Sequence, residues 1–243
     1  MANGIVVRED AVAYRIELDR PDCGNLVTSE MVTALADALR AGASRARLVI
    51  IAGRGNDFCK GRDYAAAPED AKAGKTPTAL QIRRNMTDPI VDLYATLKDC
   101  PVPTVALVQG IAYGFGCALA GACDIVLAAK SARFRLPEMG RGLPPTLAMS
   151  ALWDKISVRG LAYLVYSTAE IDVRTAQTMG LVSAVVTDGE LEQRAAALTE
   201  AMSAQPLEAI CAVKEYLKLA PSMSAAGRAG LGASIFAAVL SSK

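Results

Sequence analysis

The stretch Gln109–Asp124, QGIAYGFGCALAGACD, constrains the chain more than any other. It is an apolar helix start crowded with glycine, set directly behind the strand predicted over Pro103–Val108. Gly110, Gly114 and Gly116 let backbone approach backbone, and the first amides of a helix have no intrahelical acceptor. Such a start serves either close packing around a tight turn or the holding of a developing negative charge. The non-polar run between Gln109 and Asp124 has 14 residues, short of the ~20 that a membrane-spanning helix needs. A buried helix start is predicted. A second segment of the same potential, Phe58–Tyr64 (FCKGRDY), follows the apolar strand Leu48–Ala52, so two strand ends can each offer one amide.

The chain contains no histidine. That excludes Ser-His-Asp and Cys-His catalysis and histidine metal sites, and leaves proton transfer to a carboxylate, lysine, cysteine or tyrosine of shifted pKa. The cysteines at 23, 59, 100, 117, 123 and 211 form no CxxC pair and no metal spacing, and the start MANGIVVRED lacks a basic region followed by an apolar run. A reduced, cytoplasmic protein without a metal centre is expected. With 26 basic against 25 acidic residues, nothing marks a nucleic-acid or membrane partner. At 243 residues the chain is one large domain, or one with a small appendage, burying roughly 70–75% of its unfolded surface. Its 52% hydrophobic content fits an oligomer interface.

Alternation predicts a hairpin of Ile5–Val7 and Val12–Leu18 turned at Glu9-Asp10, and helical periodicity covers Ser29–Arg40 behind Thr28 as N-cap. The polar stretch 65–78 reads as a mobile loop, and Ala79–Leu97 as one amphipathic helix bent or divided at Pro89. A strand is predicted at Ile125–Ala129. From Thr146 onward the pattern is mostly helical, with a change of role near residue 190.

The order and spacing of Leu18-Asp19-Arg20-Pro21, Asn25, FCKGRDY, QGIAYGFGCALAGACD, Leu136-Pro137-Glu138-Met139-Gly140 and Ala176–Val182 resemble the enoyl-CoA hydratase/isomerase family, also called the crotonase superfamily. The resemblance implies an α/β fold: a crotonase-like spiral of β-β-α units over 1–189, holding the site, and a C-terminal helical trimerisation region over 190–243. It implies a homotrimer or a dimer of trimers that acts on an acyl-CoA thioester without a cofactor. The thioester carbonyl is expected between the backbone amides of Lys60 and Phe115, where its enolate is stabilised. The resemblance makes Glu138 the proton shuttle. Its apolar neighbours Phe134, Leu136 and Met139 would raise its pKa, which suits a group that both takes and gives a proton. Cys23, Arg62, Asp63, Gly114 and Ala118 are expected around the substrate, with Lys60 and Arg62 either reaching CoA phosphates or simply solvated.

Ala118 departs from the family, because the second glutamate of a hydratase belongs there. One carboxylate suffices to move a double bond, so isomerisation stands ahead of hydration, unless Asp63, Glu69, Asp70 or the 65–78 loop replaces the missing acid. Asp22 stands where a basic residue often meets CoA, and the chain stops at Lys243, so either part of the CoA pocket is expected to be built differently or ligand affinity to be weak. Other enolate chemistry on the same scaffold and a silent acyl-CoA binder remain alternatives. Arg141 is either a partner of Glu138 or a solvated turn residue. Tyr64, Tyr113 and Trp153 either line a pocket or fill the core.

Overall fold

The computed structural model describes residues 4–64 and 77–241. The hairpin forms as β1 (Ile5–Glu9) and β2 (Ala13–Leu18), antiparallel, with the Asp10 carboxylate accepting from the amides of Val12 and Ala13. Helix α1 (Ser29–Ala43) starts where Thr28 accepts from the Met31 amide and lays Met31, Val32, Leu35 and Leu39 against the core. Strand β3 (Leu48–Gly53) then pairs in parallel with β2.

The predicted helix over 79–97 is divided. Helix α2 (Ala79–Ile82), capped reciprocally by Thr78 and Gln81, passes through a π-helical turn at Arg83–Thr87 into α3 (Asp88–Asp99). Pro89 sits in the first turn of α3, where it has no N–H to give the turn before it, and that turn is the widened one. Of the predicted loop over 65–78, residues 65–76 lie outside the described residues.

Strand β4 (Thr104–Val108) is followed not directly by a helix but by a second strand, β5 (Ile111–Tyr113), and only then by α4 (Phe115–Ala122). The expectation of a helix immediately behind the strand is corrected here. Gly110, at φ +55°, turns the chain from one sheet into the other. The next turn repeats the pattern with β6 (Ile125–Ala129) and β7 (Arg133–Arg135). Beyond it come α5 (Thr146–Leu152), α6 (Val158–Ser167), β8 (Ile171–Asp172), α7 (Val173–Met179), β9 (Ala184–Val186), α8 (Leu191–Ser203), α9 (Leu207–Leu219) and α10 (Ala225–Ser241).

Two sheets result. The larger runs β1-β2-β3-β4-β6-β9, parallel from β2 onward, and the smaller runs β5-β7-β8. The turns β4–β5 and β6–β7 each give one strand to each layer. Val49, Ile51, Ala106 and Val108 face α1 and the main core, while Leu48, Ile50, Val105 and Leu107 face outward to Leu191 and Ala195 of α8. Helix α9 is tied to the sheet by buried Lys214, whose Nζ lies 2.6 Å from Asp124, a carboxylate that also accepts from the amide and hydroxyl of Thr104. Helix α10 buries none of its residues.

Candidate active site

The two glycine-bearing segments meet edge to edge. Beyond β3 the chain crosses into the smaller layer, where the Cys59 amide donates to Ile111 O (3.0 Å) and the Tyr113 amide donates back to Cys59 O (3.0 Å). Gly116, in the first turn of α4, packs on this crossing so closely that a Cβ there would collide with the Cys59 carbonyl and lie 2.8 Å from the Cys59 side chain. Asn25 locks the segment from behind. It is fully buried, accepts from the Arg20 amide, and donates to Arg54 O and Asp57 O.

Accounting for the amides identifies the free donors. The Lys60 N–H donates to Gly24 O at 2.9 Å, Gly61 N–H faces the Cys59 sulfur at 3.4 Å, and Asp63 N–H donates to Val27 O at 2.9 Å. Arg62 lies between them in a parallel bridge to Val27 that uses its neighbours' polar groups, and its own N–H has no acceptor among the described residues. The expectation that Lys60 supplies the amide is thus corrected: its donor is already spent inside the fold, and among the described residues the free donors of this segment are Arg62 and, two residues on, the exposed Tyr64. On the other side Gly114, at φ +52°, gives its amide to Arg135 O (2.8 Å), and the helix opens with Phe115, whose N–H has no acceptor among the described residues.

Glu138 comes to the same place from the second layer. After β7, Leu136 is buried, and a 3-10 turn over Glu138–Arg141 brings the carboxyl against Gly114, where a Cβ would stand 2.8 Å from Oε1. Oε2 is buried without a hydrogen-bond partner among the described residues. Burial raises the Glu138 pKa above its ordinary value, opposed by its own backbone amide and by the charge of Arg141, whose side chain is exposed. Cys59 and Cys117, beside the site, are pushed up to about 12 by burial and stay protonated.

The remaining expected residues have other engagements. The guanidinium of Arg62 donates to Thr28 O and the Ser29 hydroxyl, both at 3.0 Å, and lies 5.9 Å from the centre of the Phe115 ring. Lys60 pairs with Asp57 at 2.9 Å, and Asp63 with Arg20 at 2.9 Å. The Cys23 thiol faces Arg20 O at 3.4 Å in the loop beneath Lys60. Ala118 is fully buried on α4. Asp22, Tyr64 and Trp153 are exposed, and the Tyr113 hydroxyl meets Glu170. Glu69 and Asp70 lie outside the described residues. A cavity of about 530 Å³ lies at the far end of α4, lined by Lys98, Asp124, Lys155 and Lys214 and not by Glu138.

Sequence reasoning missed Tyr94. It is buried on α3 with its ring stacked on Phe115, centroids 6.4 Å apart. Its place in the apolar stripe of α3 reads as core, and no signal in the sequence separates it from Leu93 or Leu97. Among the described residues no group of three or more metal-ligating side chains occurs, and no helix is long and apolar enough to cross a membrane.

Residues 8–242 match the sequence profile of the enoyl-CoA hydratase/isomerase family. The chain is 30% identical over 234 residues to the 2,3-dehydroadipyl-CoA hydratase of Escherichia coli (strain K12), across 95% of this chain and 87% of that protein. It is 28% identical over 190 residues to the enoyl-CoA hydratase AKT6-1 of Alternaria alternata, across 77% of this chain but spanning only 60% of that relative's length. A solved structure from Thermobifida fusca YX, assigned as an enoyl-CoA hydratase and in complex with acetoacetyl-CoA, superposes with a TM-score of 0.86 at 29% identity, across 99% of this chain and 96% of that one.

Proposed function

Because this chain belongs to the enoyl-CoA hydratase/isomerase family and has the crotonase fold, we propose that it forms the enolate of an acyl-CoA thioester and moves its double bond. The thioester oxygen sits between the N–H groups of Arg62 and Phe115. Main-chain donors already fixed by the fold stabilise the charge as it develops, without reorganising. Glu138 takes the α-proton, the C–H electron pair passes into the enolate, and the electrons return from oxygen as a proton is delivered at the γ-carbon. The observation that carries this reading is the Glu138 carboxyl, which has one oxygen against Gly114 and the other buried without a partner. A base so held is desolvated and raised towards neutrality, as a proton shuttle requires.

Isomerisation is favoured over hydration because Ala118 supplies only a methyl group, while Asp63 is held by Arg20. Hydration, the activity named for the Escherichia coli and Alternaria relatives, would need an acid from outside the described residues. The chemistry uses no cofactor beyond the CoA carried by the substrate. The six free cysteines support a reducing, cytoplasmic setting. Residues 1–189 carry the site, and 190–243, with the uncovered helix α10, assemble a homotrimer or a dimer of trimers.

Proton exchange at the α-carbon of butyryl-CoA in D2O, followed by NMR, tests the enolate directly. The wild type exchanges, and Glu138→Gln loses exchange by ~100-fold or more while keeping its fold. Exchange at the wild-type rate in the variant removes Glu138 from the mechanism, and CoA binding without any wild-type exchange identifies a silent binder. Conversion of 3-hexenoyl-CoA, set against hydration of crotonyl-CoA, ranks the two reactions.

A further inference from the structure

We propose that Tyr94 is a second proton-handling residue of this site, the donor that protonates the γ-carbon; the proposal rests on the enolate reading above. Tyr94 shares the buried face of α3 with Ile90, Leu93 and Leu97, and three observations set it apart from them. Its ring stacks on Phe115 at an interplanar angle of 24°, next to the amide offered to the thioester. Its hydroxyl has no hydrogen-bond partner among the described residues. A tyrosine that merely fills a core usually satisfies its hydroxyl.

The third observation is the set of groups around it. Tyr94 also borders the 530 Å³ cavity at the far end of α4, and the ionisable groups that act on its phenol are Cys117, Glu138, Cys59 and Arg62. Burial and the Glu138 charge push the phenol up, so it remains an O–H group at neutral pH and donates rather than accepts. Glu138 and Tyr94 are therefore complementary, one a desolvated acceptor and the other a neutral donor, and they come from different elements, with the Tyr94 ring against Phe115. Ala118, one turn beyond Phe115 on the same face of α4, leaves that wall without another polar group.

The proton balance closes within the site. Glu138 removes the α-proton, and the enolate electrons flow back along the conjugated chain to form the γ C–H bond with the Tyr94 proton, leaving a phenolate. The Glu138 carboxyl then returns its proton to that phenolate, and both residues are restored without a co-reactant.

Tyr94→Phe removes one oxygen and keeps the ring. The expected result is an unchanged thermal midpoint, α-proton exchange of butyryl-CoA within about twofold of wild type, and isomerisation of 3-hexenoyl-CoA lowered ~100-fold. A purely structural role would move exchange and isomerisation together. Isomerisation retained, or lost only in step with exchange, overturns the proposal. Absence of exchange in the wild type instead overturns the enolate reading and this proposal with it.

Discussion

Glu138 keeps a carboxylate oxygen in the fold that no described residue bonds, and that has a cost outside catalysis. Its raised pKa means that the folded state holds this proton more tightly than the unfolded chain does. The resulting stabilisation is complete below the unfolded value of 4.5 and is lost as pH rises through the folded value. Glu138→Gln, which carries no charge at any pH, is therefore expected to melt above the wild type at pH 8 by roughly 2 °C, with the gap closing towards pH 4. Thermal melts across that range check it; a gap that widens on acidification contradicts the assigned burial. At this scale the sequence was only partly readable. Glu138 was legible through its neighbours and the family resemblance, but the choice between Lys60 and Arg62 was not. It turns on Gly24, 36 residues before Lys60, whose carbonyl takes the Lys60 amide. Tyr94 was hidden for a related reason, since a helix stripe records which side chains are covered and not where a hydroxyl ends.

Among the elements, the contact of α4 with the Cys59 crossing sets the spacing of the two free amides. Gly116→Ala drives a Cβ into the Cys59 carbonyl. Relieving the clash means separating the segments, so a stability loss of about 2–3 kcal/mol is expected, together with a larger fractional loss of α-proton exchange. Gly140→Ala is the control. Gly140 lies in the turn that carries Glu138, with nothing within 4 Å of an added Cβ, and its effect should stay within about 0.5 kcal/mol. Urea unfolding with parallel exchange assays separates the two. The long strands and most helices were legible because their apolar periods persist over several residues. Strands β5, β7 and β8 span three, three and two residues, too short for an alternation to register, and they form because the larger sheet carries the chain past a partner strand.

For the whole molecule, the last two helices leave large apolar side chains uncovered. Phe236 and Leu240 on α10 are 71% and 58% exposed, and Val213 and Leu217 on α9 are 60% and 58% exposed. Scattered apolar residues on a surface are ordinary, but α10, apolar apart from Arg228 and its serines and with nothing buried, is the face proposed to meet other copies. Phe236→Asp is expected to shift the protein from trimer to monomer in light scattering at micromolar concentration; a wild type that is already monomeric would refute the proposed assembly. The anion hole proposed between Arg62 and Phe115 has a wider bearing. Its two donors belong to the main chain, so every genetically encoded replacement at positions 62 and 115 except proline preserves them. Descendants of such a scaffold can redraw the walls around the reacting carbon, and with them the compounds accepted, while inheriting the anion-holding device unaltered.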